Sequence, residues 1–135
     1  MLKRIMGAVF SIAIAVSGIA GFASVVSANN DKYYYTFYNV DSSGNTTDRK
    51  KTSNKLVYVH PVSGPSLYVT VQGKTSSTSG SWHNRSSRVE VNTGSIHLIS
   101  STVYSHSEKR ARLHLERTTT AYTYSKGYWN PEPTY

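Results

Sequence analysis

The chain has 135 residues, 15 Lys and Arg against 7 Asp and Glu, a formal net charge of +8, and no cysteine. That length holds one domain, and a charged fraction of 16% is too low for a charge-rich disordered tail. Without cysteine there is neither a disulfide framework nor a thiolate metal site.

Residues 1–28 read as an export leader. Lys3 and Arg4 give a basic start, an apolar stretch runs from Ile5 to Ala20, and Val26-Ser27-Ala28 fits the small-x-small cleavage pattern. A retained membrane anchor is the alternative, because no charge interrupts Ile5 to Asn30. Gly18 and Gly21 would break such a helix, and no basic stop-transfer cluster follows. Cleavage after Ala28 is therefore expected, with residues 29–135 as the mature domain. The leader removes two of the 15 basic residues and none of the 7 acidic ones, leaving +6. An exported domain without cysteine points to a Gram-positive cell, because small exported eukaryotic domains are usually stapled by disulfides.

From Asn29 onward the helical period is absent and period-two alternation recurs. Strands are expected at 33–40, 55–60, 66–72, 88–91, 94–104, 110–117 and 119–125. Leu67, Val69 and Val71 share one face of the third. Ala111, Leu113 and Leu115 alternate with Arg110, Arg112, His114 and Glu116 in the sixth. In the fifth, Ile96 and Leu98 have the opposite parity from Ile99 and Val103, so a β-bulge is expected near Leu98-Ile99. Pro61 and Pro65 lie in an expected turn, since proline cannot serve a central ladder. Asn92-Thr93-Gly94 suits a hairpin with glycine in the left-handed position. Residues 41–54 and 73–87 read as polar loops. About seven short strands at this spacing predict an all-β fold, a small antiparallel β-sandwich after the leader. Leu, Ile, Val and Phe are few beyond the leader, so the eleven tyrosines are expected to fill out the core.

The sequence offers little chemistry. No G-x-S-x-G surrounds a serine, and Asp31, Asp41 and Asp48 all fall in expected loops, so no serine triad stands out. Glu90, Glu116 and Glu132 sit beside basic or turn residues and read as surface charges balancing Arg88 and Arg117 rather than as a glycosidase pair. The five histidines lack metal-ligand spacing, although His97 and His114 would pair if their strands were neighbours. No glycine-rich phosphate loop precedes a helix, so no nucleotide is expected. Export argues against nucleic acid. No catalytic residue, metal or cofactor is assigned.

Binding is better supported. Trp82 lies in a Ser/Thr-rich stretch beside His83 and Arg85, where a ring either plugs the sandwich or meets a partner. Arg49, Lys50 and Lys51 form a basic cluster, and Arg110, Arg112 and His114 a basic strand face. Tyr128 and Trp129 lie in the terminal segment Gly127-Tyr128-Trp129-Asn130-Pro131-Glu132. These charges suit an anionic cell-wall polymer or a membrane surface.

The leader, the cysteine-free Tyr/Ser/Thr-rich β body and the segment Ser125 to Glu132 together resemble a family of small secreted Gram-positive proteins with no assigned function. That resemblance implies no catalytic residues and no cofactor. A weaker similarity is to the lactococcin-type bacteriocins, in which Ala121-Tyr122-Thr123-Tyr124 would correspond to a terminal aromatic strand. The expected function is non-enzymatic binding at the Gram-positive cell surface or in the medium. The alternative is a bacteriocin-like antimicrobial protein acting on the envelope of related cells.

Overall fold

The structure is a computed structural model that describes residues 23–26, 34–39, 43–119 and 124–133, with residues 23–26 and Asn39 described by backbone only. Most of the expected leader, the expected Asp31 and Asp41 loops and Ala121 to Thr123 lie outside the described residues.

Among the described residues eleven strands run in chain order as β1 (Ala23–Val26), β2 (Tyr35–Asn39), β3 (Ser43–Asn45), β4 (Arg49–Lys50), β5 (Val57–Ser63), β6 (Leu67–Lys74), β7 (His83–Asn84), β8 (Val89–Val91), β9 (Ile96–Ile99), β10 (Arg110–Arg117) and β11 (Ser125–Asn130). They form two sheets. The first has the order β1-β9-β5-β11-β2; the second has the order β3-β10-β6-β7, with β4 added to β10 and β8 to β6. Every pair is antiparallel. The all-β sandwich is as the alternation predicts.

The two inner faces meet in one core. β6 supplies Leu67, Val69 and Val71; β10 supplies Ala111, Leu113 and Leu115; Val57, Val59, Ile99, Phe37 and Trp129 come from the first sheet. Leu113 lies opposite Val71 and Leu115 opposite Val69. A one-residue slip of either strand would turn its three aliphatic side chains to water, which fixes the register. Of the described tyrosines only Tyr35 packs against this core, partly buried. Among those described only Tyr58 is buried, in a second cluster with Leu56, Ile96 and Leu98 on the other face of the first sheet, while Tyr38, Tyr104 and Tyr124 are exposed. The reason is the phenol oxygen, which needs a partner or water, whereas valine fills the narrow space between sheets without one.

Several local expectations are corrected. Most of the strand expected at 119–125 lies outside the described residues; the last described strand is β11, at Ser125–Asn130, and it sits centrally between β5 and β2. Leu98 and Ile99 pair regularly with both neighbours; the irregularity lies instead at Lys126/Gly127. Pro61 is inside β5, opposite Gly127. It is tolerated because β9 pairs β5 only from Val57 to Val59, so no second neighbour needs its missing N–H. Gly94 is left-handed at φ 91°, as expected. The turn joins β8 in one sheet to β9 in the other, so it is a crossover between sheets and not a hairpin. The 41–54 and 73–87 loops contain the short edge strands β3, β4 and β7.

Candidate functional site

The outer face of the second sheet carries the side chains of opposite parity to the core. On β10 these are Arg110, Arg112, His114 and Glu116; on β6 they are Tyr68, Thr70, Gln72 and Lys74. Cross-strand register sorts them into rows. Lys50, Arg110 and Lys74 lie side by side across β4, β10 and β6. The next row is Arg112, Gln72 and Asn84.

Like charges directly opposite one another destabilise an antiparallel pair, so three cations abreast need compensation. One carboxylate supplies it. Arg110 Nε donates to Asp48 Oδ2 at 2.8 Å, and the second guanidinium nitrogen donates to the Asp48 carbonyl at 3.2 Å. The Arg110 hydrogen bond holds the Asp48 carboxyl below its usual range, against the opposing effect of burial, and Lys74 adds to the lowering. Among the described residues Lys50, Lys74 and Arg112 have no such counter-ion.

Trp82, the residue before β7, holds this group in place. The Arg112 guanidinium lies 4.3 Å from its ring centroid and the Lys74 ammonium 5.5 Å. Arg112 Nε donates to Gln72 Oε1 at 2.8 Å, and Gln72 Nε2 donates to Asn84 Oδ1 at 2.9 Å. The ring and the amide pair thus fix two long cationic side chains that would otherwise lose entropy on meeting a ligand. At the opposite end of the sheet the charges cancel: Arg88 Nε meets Glu116 Oε1 at 3.0 Å and its guanidinium lies 3.7 Å from the Tyr68 ring centroid. The excess of positive charge is therefore local to one end.

The structure distributes the expected binding residues widely. Trp82, His83 and Lys50 belong to this end of the second sheet. Tyr128, opposite His60 and Thr36, is half-buried on the outer face of the other sheet. Arg49 shares the inward parity of Ala111 and lies 3.9 Å over the Tyr35 ring, which in turn packs beside Trp129. Arg85 is held by Glu108 in a two-bond fork, both at 2.9 Å. Two expectations are overturned by burial. Trp129 is 1% exposed and belongs to the core. Lys51 is also 1% exposed; its ammonium donates to the carbonyls of Lys55 at 2.6 Å and Pro131 at 2.7 Å and sits 3.3 Å from Glu132.

Glu132 is correspondingly no simple surface charge. Its carboxylate accepts from the backbone N–H groups of Thr52 at 2.6 Å and Ser53 at 3.0 Å. Burial raises its pKa, but the Ser53 hydroxyl, these N–H groups and Lys51 together hold it below the usual range. The pair clamps the C-terminal segment onto the 51–55 turn.

His97 and His114 lie in different sheets, so they form no cross-strand pair. His114 Nδ1 meets Asn45 Oδ1 at 2.8 Å. Among the described residues no three His, Asp or Glu side chains converge to hold a metal ion. A polar hollow of about 290 Å³ is lined by Arg85, Ser86, Ser87, Ser100, Ser101 and Thr102, together with Asn84. No imidazole or carboxylate is among its lining residues.

What fold and face define is a small β-sandwich with a pre-arranged cationic end on one open sheet. Over residues 21–133 the sequence matches the family described as Protein of unknown function (DUF2712), and the chain belongs to that family. No curated protein and no solved structure matches it.

Proposed function

We propose that this is a secreted, non-enzymatic binding protein that holds an anionic polymer of the Gram-positive cell surface against the outer face of the second sheet. The observation that carries this reading is the row Lys50, Arg110, Lys74, with Arg112 behind it and a single carboxylate among them. A cost to the fold that is only partly offset is what an anion site looks like before its ligand arrives. The cations stand on an open strand face rather than in an enclosed cavity, which suits an extended chain of charges better than a small molecule. The leader pattern and the absence of cysteine support export and a cell wall as the place of action.

Retention on purified Gram-positive cell walls tests this. The secreted chain binds and is released as salt rises, because exposed charges are screened over about 8–10 Å at physiological ionic strength. The double substitution Lys50→Gln with Lys74→Gln removes about 1 kcal/mol per lysine and weakens retention roughly 30-fold at low salt. Unchanged retention of a folded double variant would falsify the reading.

A further inference from the structure

β1 occupies a position that cleavage would empty. It pairs with β9 over four residues, Ala23 with Ile99 through Val26 with Ile96, and it forms the edge of the first sheet. It also lies wholly within the segment that the small-x-small pattern ending at Ala28 would remove. In the mature chain β9 keeps β5 on one side and presents bare backbone N–H and C=O groups on the other.

The mature N-terminus is too short to refill that edge. Cleavage leaves residues 29–34 ahead of β2, and β2 lies at the far edge of the sheet. From β2 to the vacated position is four strand spacings of about 4.8 Å, roughly 19 Å. Six residues reach about 20 Å fully extended, so the tether is used up in the crossing and no length remains to run along β9.

β9 is short, at four residues, but it lacks the charged and proline residues that keep an edge from pairing. Ser95-Ile96-His97-Leu98-Ile99-Ser100-Ser101 contains no Lys, Arg, Asp, Glu or Pro, the residues that normally blunt an exposed edge. The strand matches itself. Turned about a two-fold axis through His97, an antiparallel copy places Ile96 opposite Leu98 of the second chain, and both belong to the outer apolar cluster with Tyr58 and Leu56. The two sheets then join into one of eight strands, β2-β11-β5-β9 followed by its symmetry mate, with the apolar strip continuous across the join.

We infer that removal of the leader exposes the edge of β9 and that a second copy of this chain takes it by antiparallel β9–β9 pairing. In the uncleaved chain, β1 guards the edge. The inference rests on the export and cleavage part of the proposed function, and the intact mass of the protein collected from the medium checks that part first. A mass of the full chain refutes cleavage and with it the inference, while leaving the cationic face untouched.

With cleavage established, sedimentation and hydrogen exchange decide. Protein 29–135 sediments as a dimer at tens of micromolar, and protein 21–135, which retains β1, sediments as a monomer. In the dimer the amides of Ile96–Ile99 that faced β1 are protected, and dilution to monomer releases them. A folded monomeric 29–135, a 29–135 that does not fold, a dimeric 21–135, or a dimer whose β9 edge amides exchange freely would each overturn the proposal.

Discussion

Lys51 shows how far a single residue's role can depart from its sequence neighbourhood. It stands in an Arg-Lys-Lys run that reads as a surface patch, yet its ammonium is buried against two carbonyls and Glu132. Removing one partner of a buried pair leaves the other unpaired, at about 3 kcal/mol, so Lys51→Ala lowers the denaturant midpoint strongly while Lys50→Ala, which relieves the cationic row, raises it slightly. Urea unfolding of the two variants checks this. Trp82 is the complementary case, since its ring lies on the surface side of the sheet under Arg112 and Lys74. Trp82→Ala releases both cations, at about 1 kcal/mol, and is expected to weaken cell-wall retention about fivefold with only a small change in unfolding midpoint. If the domain instead unfolds, Trp82 is a structural plug and the cationic end loses its organiser for that reason. The signal for Trp82 was legible, a large ring in a polar stretch. The signal for Lys51 was not, because its carbonyl and carboxylate partners at Pro131 and Glu132 lie some 80 positions away.

At the scale of elements, β6 and β10 were readable and β11 was not. Strict alternation shows directly when one face is buried and the other wet, as in Leu67–Lys74 and Arg110–Arg117. β11 reads Ser-Lys-Gly-Tyr-Trp-Asn and runs into prolines, a composition that resembles a tail. Its place in the middle of a sheet follows from Trp129 filling the space between the sheets and from the close passage of Gly127. A Cβ on Gly127 would meet the His60 carbonyl, lie 2.6 Å from the Phe37 ring and 2.7 Å from Pro61 Cα. These neighbours include backbone that cannot swing away, so Gly127→Ala is expected to cost about 2–3 kcal/mol, measurable as a fall in thermal midpoint of the order of 10 °C. Substitution at Gly94, where a Cβ would meet nothing within 4 Å, carries only the strain of φ 91° and is expected to cost less.

The whole molecule should show two stages of acid destabilisation. His97 is buried, and its Nε2 accepts the Asn92 N–H at 3.0 Å; burial keeps its pKa below the ordinary value, outweighing the Asn92 carbonyl 3.4 Å from the same nitrogen, with His60 adding to the lowering. The unfolded chain therefore takes up a proton that the folded chain resists. Stability is complete above the ordinary histidine value near 6.5 and declines as pH falls below it. Asp48 and Glu132, both held below the usual carboxylate range, contribute stability that is present above about pH 4 and lost as pH falls further. Unfolding midpoints taken across pH 3–8 check both stages, and His97→Asn is expected to flatten the upper one alone.

The sequence by itself determined the all-β class, the register-setting alternation of two long strands and the excess of positive charge, because each of these is a local property of composition or period. The tertiary structure alone decided which charges stand together. Lys50, Lys74 and Arg110 are separated along the chain and become a row only through strand pairing, while Lys51, next to Lys50, is turned inward by the parity of the same strand edge and by the carbonyls that await it. Strand pairing also set the fate of the aromatic residues. Trp129 went to the core because its strand parity turns it inward opposite Val59, and Trp82 stands at the outer face against Arg112 and Lys74.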